Sequence, residues 1–578
     1  MSVLKQGTWY FDWLVLTLFI VLLFGMFLGT RPLSAPDEAR YAEIPREMWV
    51  YHDFVTPHLN GVKYFEKPPL FYWIQAASIR LFNPAVGNSD LPATIDIDNS
   101  QSINEWVVRL PNAFIALLGC LLLYSAGRLL FDRQTGLLSA VILATSLLYF
   151  TLARMITLDM CLSVCLSASL LAFLVSVKFP PGSQRRYLCY AAYSFSALAV
   201  LTKGLVGVVF PAAIVGLCIL LTSQWRLLKQ SYLTSGILLF LLIVLPWHIL
   251  VQQRNPEFFQ FYFLDQQFLR YATLIAQRYQ PNWFFIPILI AGFLPWIVFL
   301  LQAIAENFPK TRQQLKEKST SVFLLLWIGV VFIFFSLSHS KLIPYILPIF
   351  PALALLTGHY LSTHAVQRSL GVTGGAIALP CLWLIFGILG IIWLLYVPSA
   401  DLPKPAIPFL IAGYGVFLLA SLGAAFFYVR YRIKTAFSVL VLGSAISFII
   451  FSTSIPRVDT RSIKPLVQVL KPLLQRHDKI VSYAQYYQDF PFYLQHRVMT
   501  AEVTNEFSFG MQHQDTRLWM LSADRFWPLW HSQQRVFMIT AKAIYQSFKE
   551  REHAIYLIAA TPRDVLLSNQ FVPERIKR

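Results

Sequence analysis

Charge is scarce in this chain. Asp, Glu, Lys and Arg together make up 13% of its 578 residues, and the acids are the scarcer, 29 against 47 basic residues. Soluble globular domains carry about 25% charged residues, so a water-soluble body of this length is excluded. Cysteine is scarce too. Cys120, Cys161, Cys165, Cys189, Cys218 and Cys381 all lie in apolar stretches, with no CxxC spacing. That argues against a thiolate metal site or a disulfide framework and leaves six small core residues. Internal repeats and low-complexity tracts are absent. No basic block carries interleaved aromatics, so the net charge of +18 does not point to nucleic acid.

What the chain has instead is hydrophobic length. Apolar residues make up 56% of it, and mean hydropathy is +0.56. A spanning helix needs about 20 apolar residues, and thirteen windows qualify, near 12–30, 107–127, 134–152, 157–177, 187–202, 204–222, 233–251, 283–302, 320–337, 343–361, 374–396, 407–429 and 434–453. Proline follows Ala35 in "PLSAPD", where a signal-peptide cleavage site would fall, and charged residues follow at once. The first segment is therefore expected to remain as a span.

Lysine and arginine set the orientation. With the N-terminus inside, the short inner loops hold fifteen of them, from Arg128 and Arg133 to Arg432 and Lys434, and the short outer turns hold four: Arg154, Lys203, Lys341 and Lys404. Three larger pieces then lie outside: residues 31–106, 252–282 and 457–578. The fold expected is mainly α, a polytopic membrane protein of about thirteen transmembrane helices. Its membrane domain covers 1–456 and includes loops 31–106 and 252–282. The first loop is expected to form surface helices near 37–51 and 69–82. The tail 457–578 alternates short apolar runs ("KIVSYAQ", "RLWMLSA", "RVFMIT", "AIYLIAA") with polar stretches, as a small α/β domain does.

Ionisable groups collect at the outer ends of spans, where each is costly and calls for a partner or a role. The densest group is "APDEARYAEIPREM", residues 35–48, in which Asp37, Glu38, Arg40, Glu43, Arg46 and Glu47 follow the first apolar run. In a helix starting near Asp37, Arg40 lies at i+3 and Tyr41 at i+4. "YFEKPP" then brings Tyr64, Glu66 and Lys67. Further along are Arg154, Asp159, Lys203, His248, Arg270, Lys341 and Tyr345. Each has an ordinary alternative. Asp37 would cap a helix, Arg154 and Asp159 would pair with each other, and Lys203 would snorkel to headgroups. His248 would be a packed interfacial residue, Arg270 would lie on a solvated face, and Tyr345 would sit in an aromatic belt.

"PDEARYAEIPREM" followed by "TPHLNGVKYFEKPP" resembles the aminoarabinose lipid A transferases of Gram-negative bacteria, a GT-C family related to protein O-mannosyltransferases. "LTKG" at 201–204, "LPWHIL" at 245–250, "AGFLPW" at 291–296 and "HSKLIPYILPIFPALALL" at 339–356 extend the resemblance. It implies an inverting glycosyltransferase in the bacterial inner membrane, with its active site and C-terminal domain periplasmic. The implied donor is undecaprenyl phosphate carrying 4-amino-4-deoxy-L-arabinose, the acceptor is a lipid A phosphate, and the outcome is polymyxin resistance. Asp37 is implied as the catalytic acid position. Lys67 and Arg270, with Tyr64 and Tyr345, are implied to hold the carrier phosphate. Glu38, Arg40, Tyr41, Glu66, Arg154, Asp159, Lys203, His248 and Lys341 are implied to line the cavity. No cofactor is required, although Glu66 and His248 are ligand types suited to a divalent cation. The alternatives are another sugar or a protein acceptor, and, in a different class, a transporter of lipid-linked sugar. A transporter places its ionisable groups at the midplane of broken spans with inverted repeats, and neither feature is in the sequence.

Overall fold

The computed structural model describes residues 7–87, 103–269, 279–364, 370–396, 404–503, 506–549 and 555–572. Helix occupies every one of the thirteen apolar windows. Among the described residues, nine helices are long and apolar enough to cross a membrane, and eleven if each of two bent pairs counts as one span. The other two windows are the helices Ser183–Lys203 and Val206–Thr222. The first opens on the polar residues Ser183, Gln184, Arg185 and Arg186, and the second has only 17 residues.

Both bends have local causes. Arg133–Ala144 and Leu147–Ala153 meet at 66°. Between them the hydroxyls of Thr145 and Ser146 donate back to the carbonyls of Val141 and Ile142, at 2.6 and 2.7 Å, a bond pattern that bends helices. Phe285–Gly292 and Ile297–Asn307 meet at 108°, and Pro295, which has no N–H to continue a helix, lies in the gap.

The packing divides the chain into two compact units that do not follow chain order. One comprises residues 1–28 with 112–457; the other comprises 29–111 with 458–578. The first loop, expected with the membrane domain, is thus grouped with the C-terminal residues.

In the membrane unit the one acid of the first helix is fully paired. Asp12 is 2% exposed. It accepts from Arg133 at 2.6 and 2.7 Å, from Arg128 at 3.1 Å and from the Tyr124 hydroxyl at 2.6 Å, as a charge at membrane depth requires. At Gly207 a Cβ would meet the backbone nitrogen of Val200 at 2.3 Å, so only glycine lets these two consecutive helices touch.

The other unit is built around a six-stranded sheet. Its strands run in the order Met520–Leu521, Met499–Ala501, Lys479–Tyr483, Val536–Ala541, Asp564–Ser568, Tyr556–Ala560. The first four are mutually parallel, and Asp564–Ser568 runs antiparallel to both its neighbours. Val481, Tyr483, Phe526, Trp530, Val536, Met538 and Leu567 form its core. The four apolar runs read from the sequence are four of the six strands.

The first loop meets the C-terminal residues through a hairpin and the helix Asp37–Val50. His58–Leu59 pairs with Val62–Lys63 across Asn60-Gly61. Their φ values, 54° and 74°, are the two left-handed positions that favour Asn-Gly in a two-residue turn. The Asn60 amide pairs with the backbone of Val498, donating at 2.9 Å and accepting at 3.0 Å. Trp519 Nε1 donates to the Asn60 carbonyl at 3.0 Å, and Gln514 Nε2 to that of Gly61 at 2.9 Å. The expected loop helices are Asp37–Val50 and Leu70–Phe82.

Two glutamates of helix Asp37–Val50 are buried in opposite circumstances. Glu38 is 1% exposed. Arg31 donates to it at 2.7 and 2.9 Å, Arg109 at 3.0 Å twice, and the Ser34 amide at 2.9 Å. Burial pushes its pKa up, but Arg109, Arg31 and these hydrogen bonds prevail and hold it down at about 2. Glu47 is also 1% exposed. Its partner is the Gly61 amide at 3.0 Å, while Arg46 is engaged by both oxygens of Glu43 at 2.6 and 2.7 Å. Burial, and then the Glu43 carboxylate, push the Glu47 pKa up.

Two stability predictions follow from these environments. Glu38→Gln leaves two buried guanidinium groups short of a counter-charge and is expected to cost about 3 kcal/mol or more, read as a lower unfolding midpoint in detergent. Glu47 acts in the other direction. Because its folded pKa is raised, its contribution is complete below the ordinary carboxylate range and is lost as pH rises toward neutrality. Between pH 5 and 8 the wild-type midpoint should fall, and Glu47→Gln should flatten that slope.

Candidate active site

Asp37 is the first residue of its helix. Pro36 occupies the cap position and no side chain caps the helix, so Asp37 does not act as the cap. Its side chain is 52% exposed and takes a single nitrogen of Arg40, Nη1, at 3.1 Å. Arg40 is otherwise buried. Its Nε and Nη2 donate to Glu506 Oε2 at 3.1 and 2.6 Å, and Gln488 holds the other Glu506 oxygen at 2.8 Å. The guanidinium carbon lies 5.9 Å from the centre of the Tyr64 ring. Burial disfavours its charge, but Tyr64, Glu506, Glu66 and Asp37 outweigh burial and keep Arg40 a permanent cation.

Three phenols share this surrounding. Tyr41 packs edge-on against Phe71 and tilted against Tyr72, with ring centres 6.1 and 6.2 Å away. Burial raises the pKa of Tyr41, Tyr64 and Tyr72 far above the usual range, with Glu66 adding to the shift in each. They are therefore neutral donors. Glu66 and Lys67 are half-buried in the segment that leads from the hairpin to helix Leu70–Phe82. Asp37, Arg40, Tyr41, Tyr64 and Glu66 thus gather in one unit. Glu38 turns away from them into its two arginines.

Tyr72 is the member that the sequence reading missed. It is fully buried, and its hydroxyl has no hydrogen-bond partner among the described residues. An unmatched buried hydroxyl is costly unless something else takes it up. The signal available was the run "PPLFYW", which places an aromatic hydroxyl on the helix led by that proline pair.

In the membrane unit, Lys203 pairs with Asp159, so Asp159 does not pair with Arg154 and Lys203 is held within the protein instead of snorkelling. The Lys203 ammonium lies 4.0 Å from the centre of the Tyr345 ring, a cation–π contact, and Phe335 packs on that ring at 5.3 Å. Lys203 and Tyr345 are therefore brought together. Arg154 and Lys341 are engaged by backbone. Arg154 donates to the carbonyls of Leu23 and Phe24, both at 3.1 Å, and Lys341 to those of Gln280, at 2.7 Å, and Ser338. Both are buried. His248 Nδ1 lies 2.8 Å from the Val244 carbonyl, and its ring is surrounded by Trp247, Phe258, Tyr262 and Phe263, the packed setting of its ordinary alternative. Arg270 lies outside the described residues. Among the described residues no cluster of three or more His, Cys, Asp or Glu side chains could hold a metal ion.

The apolar spans with their two bends, and the small α/β sheet, define a polytopic membrane protein with an α/β domain. Residues 466–569 match the aminoarabinose transferase C-terminal domain, and 100–250 match the dolichyl-phosphate-mannose-protein mannosyltransferase family. The fold is similar to that of ArnT from Cupriavidus metallidurans bound to undecaprenyl phosphate, with TM-score 0.83 and 27% identity over 99% of both chains. Undecaprenyl phosphate-alpha-4-amino-4-deoxy-L-arabinose arabinosyl transferase 1 of Proteus mirabilis is 33% identical over 61% of this chain and 59% of its own length. The corresponding transferase of Erwinia tasmaniensis is 33% identical over 60% and 59%. The chain spans about three fifths of the length of these curated relatives.

Tyr72→Phe separates fold from chemistry at this site. Removing an unsatisfied buried hydroxyl should leave the unfolding midpoint unchanged or raise it, while turnover falls about tenfold or more if that hydroxyl serves substrate.

Proposed function

We propose that this protein transfers 4-amino-4-deoxy-L-arabinose from undecaprenyl phosphate to a lipid A phosphate, at the periplasmic face of the bacterial inner membrane. The observation that carries the reading is the half-exposed Asp37 carboxylate beside the buried cation Arg40 and three neutral phenols. Its setting in a chain similar to ArnT over 99% of its length supports the same conclusion. The fifteen-to-four bias of basic residues supports the periplasmic face.

The chemistry needs little from the protein. A lipid A phosphate oxygen is already anionic at neutral pH, so it attacks the sugar C1 without a strong base. The C1–O bond to the carrier breaks with inversion, and undecaprenyl phosphate leaves with both electrons of that bond. Asp37 orients the acceptor or holds a polar group of the sugar. Lys67 neutralises the charge that grows on the departing phosphate. Tyr64 adds a hydrogen bond. No cofactor enters these steps.

The match of residues 100–250 to protein mannosyltransferases keeps a protein acceptor as the second reading, and one experiment separates the two. A transferase-null Gram-negative strain with an intact aminoarabinose donor pathway is given either the wild-type chain or Asp37→Asn. Mass spectrometry of its lipid A should show an aminoarabinose increment with the wild type. With the variant that increment should fall by about a hundredfold or more, the scale of a lost catalytic group. A wild-type chain present in the membrane that adds no increment would reject the lipid A acceptor and direct the search to glycosylated envelope proteins.

A further inference from the structure

Among the described C-terminal residues, Glu506 bonds directly to the proposed site. Glu506 lies between strand Met499–Ala501 and helix Ser508–His513. Its Oε2 takes two nitrogens of Arg40, at 2.6 and 3.1 Å, and Gln488, just before helix Asp489–Leu494, fixes its Oε1 at 2.8 Å. A guanidinium presents its donors as a rigid fork that readily grips a carboxylate with two bonds at once. Asp37, three residues before Arg40 on the same helix, is within its reach. It nevertheless receives only Nη1, at 3.1 Å on Oδ1.

We propose that Glu506 is a positioning residue for the transfer. By occupying Nε and Nη2 of Arg40, it prevents a two-bond grip on Asp37 and so keeps Asp37 Oδ2 open for substrate. The C-terminal domain is then part of the catalytic apparatus, acting through Arg40. This rests on the reading of Asp37 given above. The alternative is a tether whose loss merely loosens the unit.

Three features of the contact favour positioning over tethering. Glu506 faces Arg40 specifically, whereas the hairpin contacts of Asn60 and Gly61 already join the loop to the sheet. Gln488 orients the carboxylate from behind, as a supporting partner does for a group that must be held in place. The pair also keeps slight exposure, with side chains at 10% and 15%, where the structural pair Arg109–Glu38 has 0% and 1%.

The test uses the full chain in detergent with lipid A and the lipid-linked aminoarabinose donor. Three variants are compared with wild type: Glu506→Gln, Glu506→Asp and Asp478→Asn. The last breaks a buried ion pair with Arg535 elsewhere in the same domain and serves as the control for stability alone. Glu506→Gln should lower kcat about tenfold, with KM for either substrate within about twofold, as for a misplaced reacting group. Glu506→Asp should recover activity to within about threefold of wild type. Asp478→Asn should lower the unfolding midpoint and leave kcat unchanged.

Hydrogen exchange gives a readout independent of the reaction. In Glu506→Gln the amides of residues 38–41 should exchange faster, with the sheet unaffected. Wild-type kcat in Glu506→Gln, or unchanged exchange at 38–41, would overturn the proposal. So would a fall in kcat that tracks the unfolding midpoint equally in Glu506→Gln and Asp478→Asn. If the wild-type chain moves no aminoarabinose, the functional reading fails, and the exchange arm still decides whether Glu506 positions the start of this helix.

Discussion

The carboxylate of Glu38 anchors the segment that leaves the first span. It is almost wholly out of water and has five donors: four guanidinium N–H groups from Arg31 and Arg109 and one backbone amide. Arg109 also donates to the carbonyls of Arg31 and Pro32, at 2.8 Å each. One ionic knot thus ties the segment leaving the first helix to the helix that begins at Glu105. A buried charge with all its lone pairs used defines one geometry and penalises others. Asp37 is the residue immediately before it, so the exposed carboxylate takes its place from the buried one.

This arrangement divides labour between adjacent acids. Asp37 points outward with one weak bond, while Glu38 points inward with five. The same contrast recurs a turn and a half further on, where Glu43 saturates Arg46 and Glu47 is left with an amide. A helix that carries six charges in fourteen residues would ordinarily be a solvated surface. Here its acids and bases are consumed within the fold, with Asp37 as the exposed exception.

Much of this was legible beforehand, for physical reasons. Hydrophobic length is unambiguous, so the thirteen windows emerged as helices. The charged stretch and "KPP" each announce a helix start, and both helices appear within a residue of expectation. The strands at 499–501 and 564–568 were not legible. The first is three residues long, and "RDVLLSN" offers no alternation. Side-chain partners were harder still. Arg154 and Asp159 are five apart in sequence and suggest a pair, but Asp159 takes Lys203 and Arg154 takes the carbonyls that end the first helix, because unsatisfied helix-end carbonyls are strong acceptors. Glu38 read like its neighbours; only burial distinguishes it. Arg40–Glu506 spans 466 positions, beyond any local pattern.

The Asn60-Gly61 turn has a consequence for the order of events during synthesis. Its partners Val498, Gln514 and Trp519 are translated after the intervening 112–457 of the other unit. At about 5–20 residues per second, the hairpin waits roughly 20 s or more with its amide and carbonyl partners missing. The helix bearing Asp37 waits equally long for the carboxylate that holds Arg40. Throughout that interval the membrane helices can insert and pack, but the charged end of the first loop stays without its partners. Chains released before residue 498 therefore lack Val498, Gln514 and Trp519, which hold the hairpin turn, and the two-bond partner of Arg40.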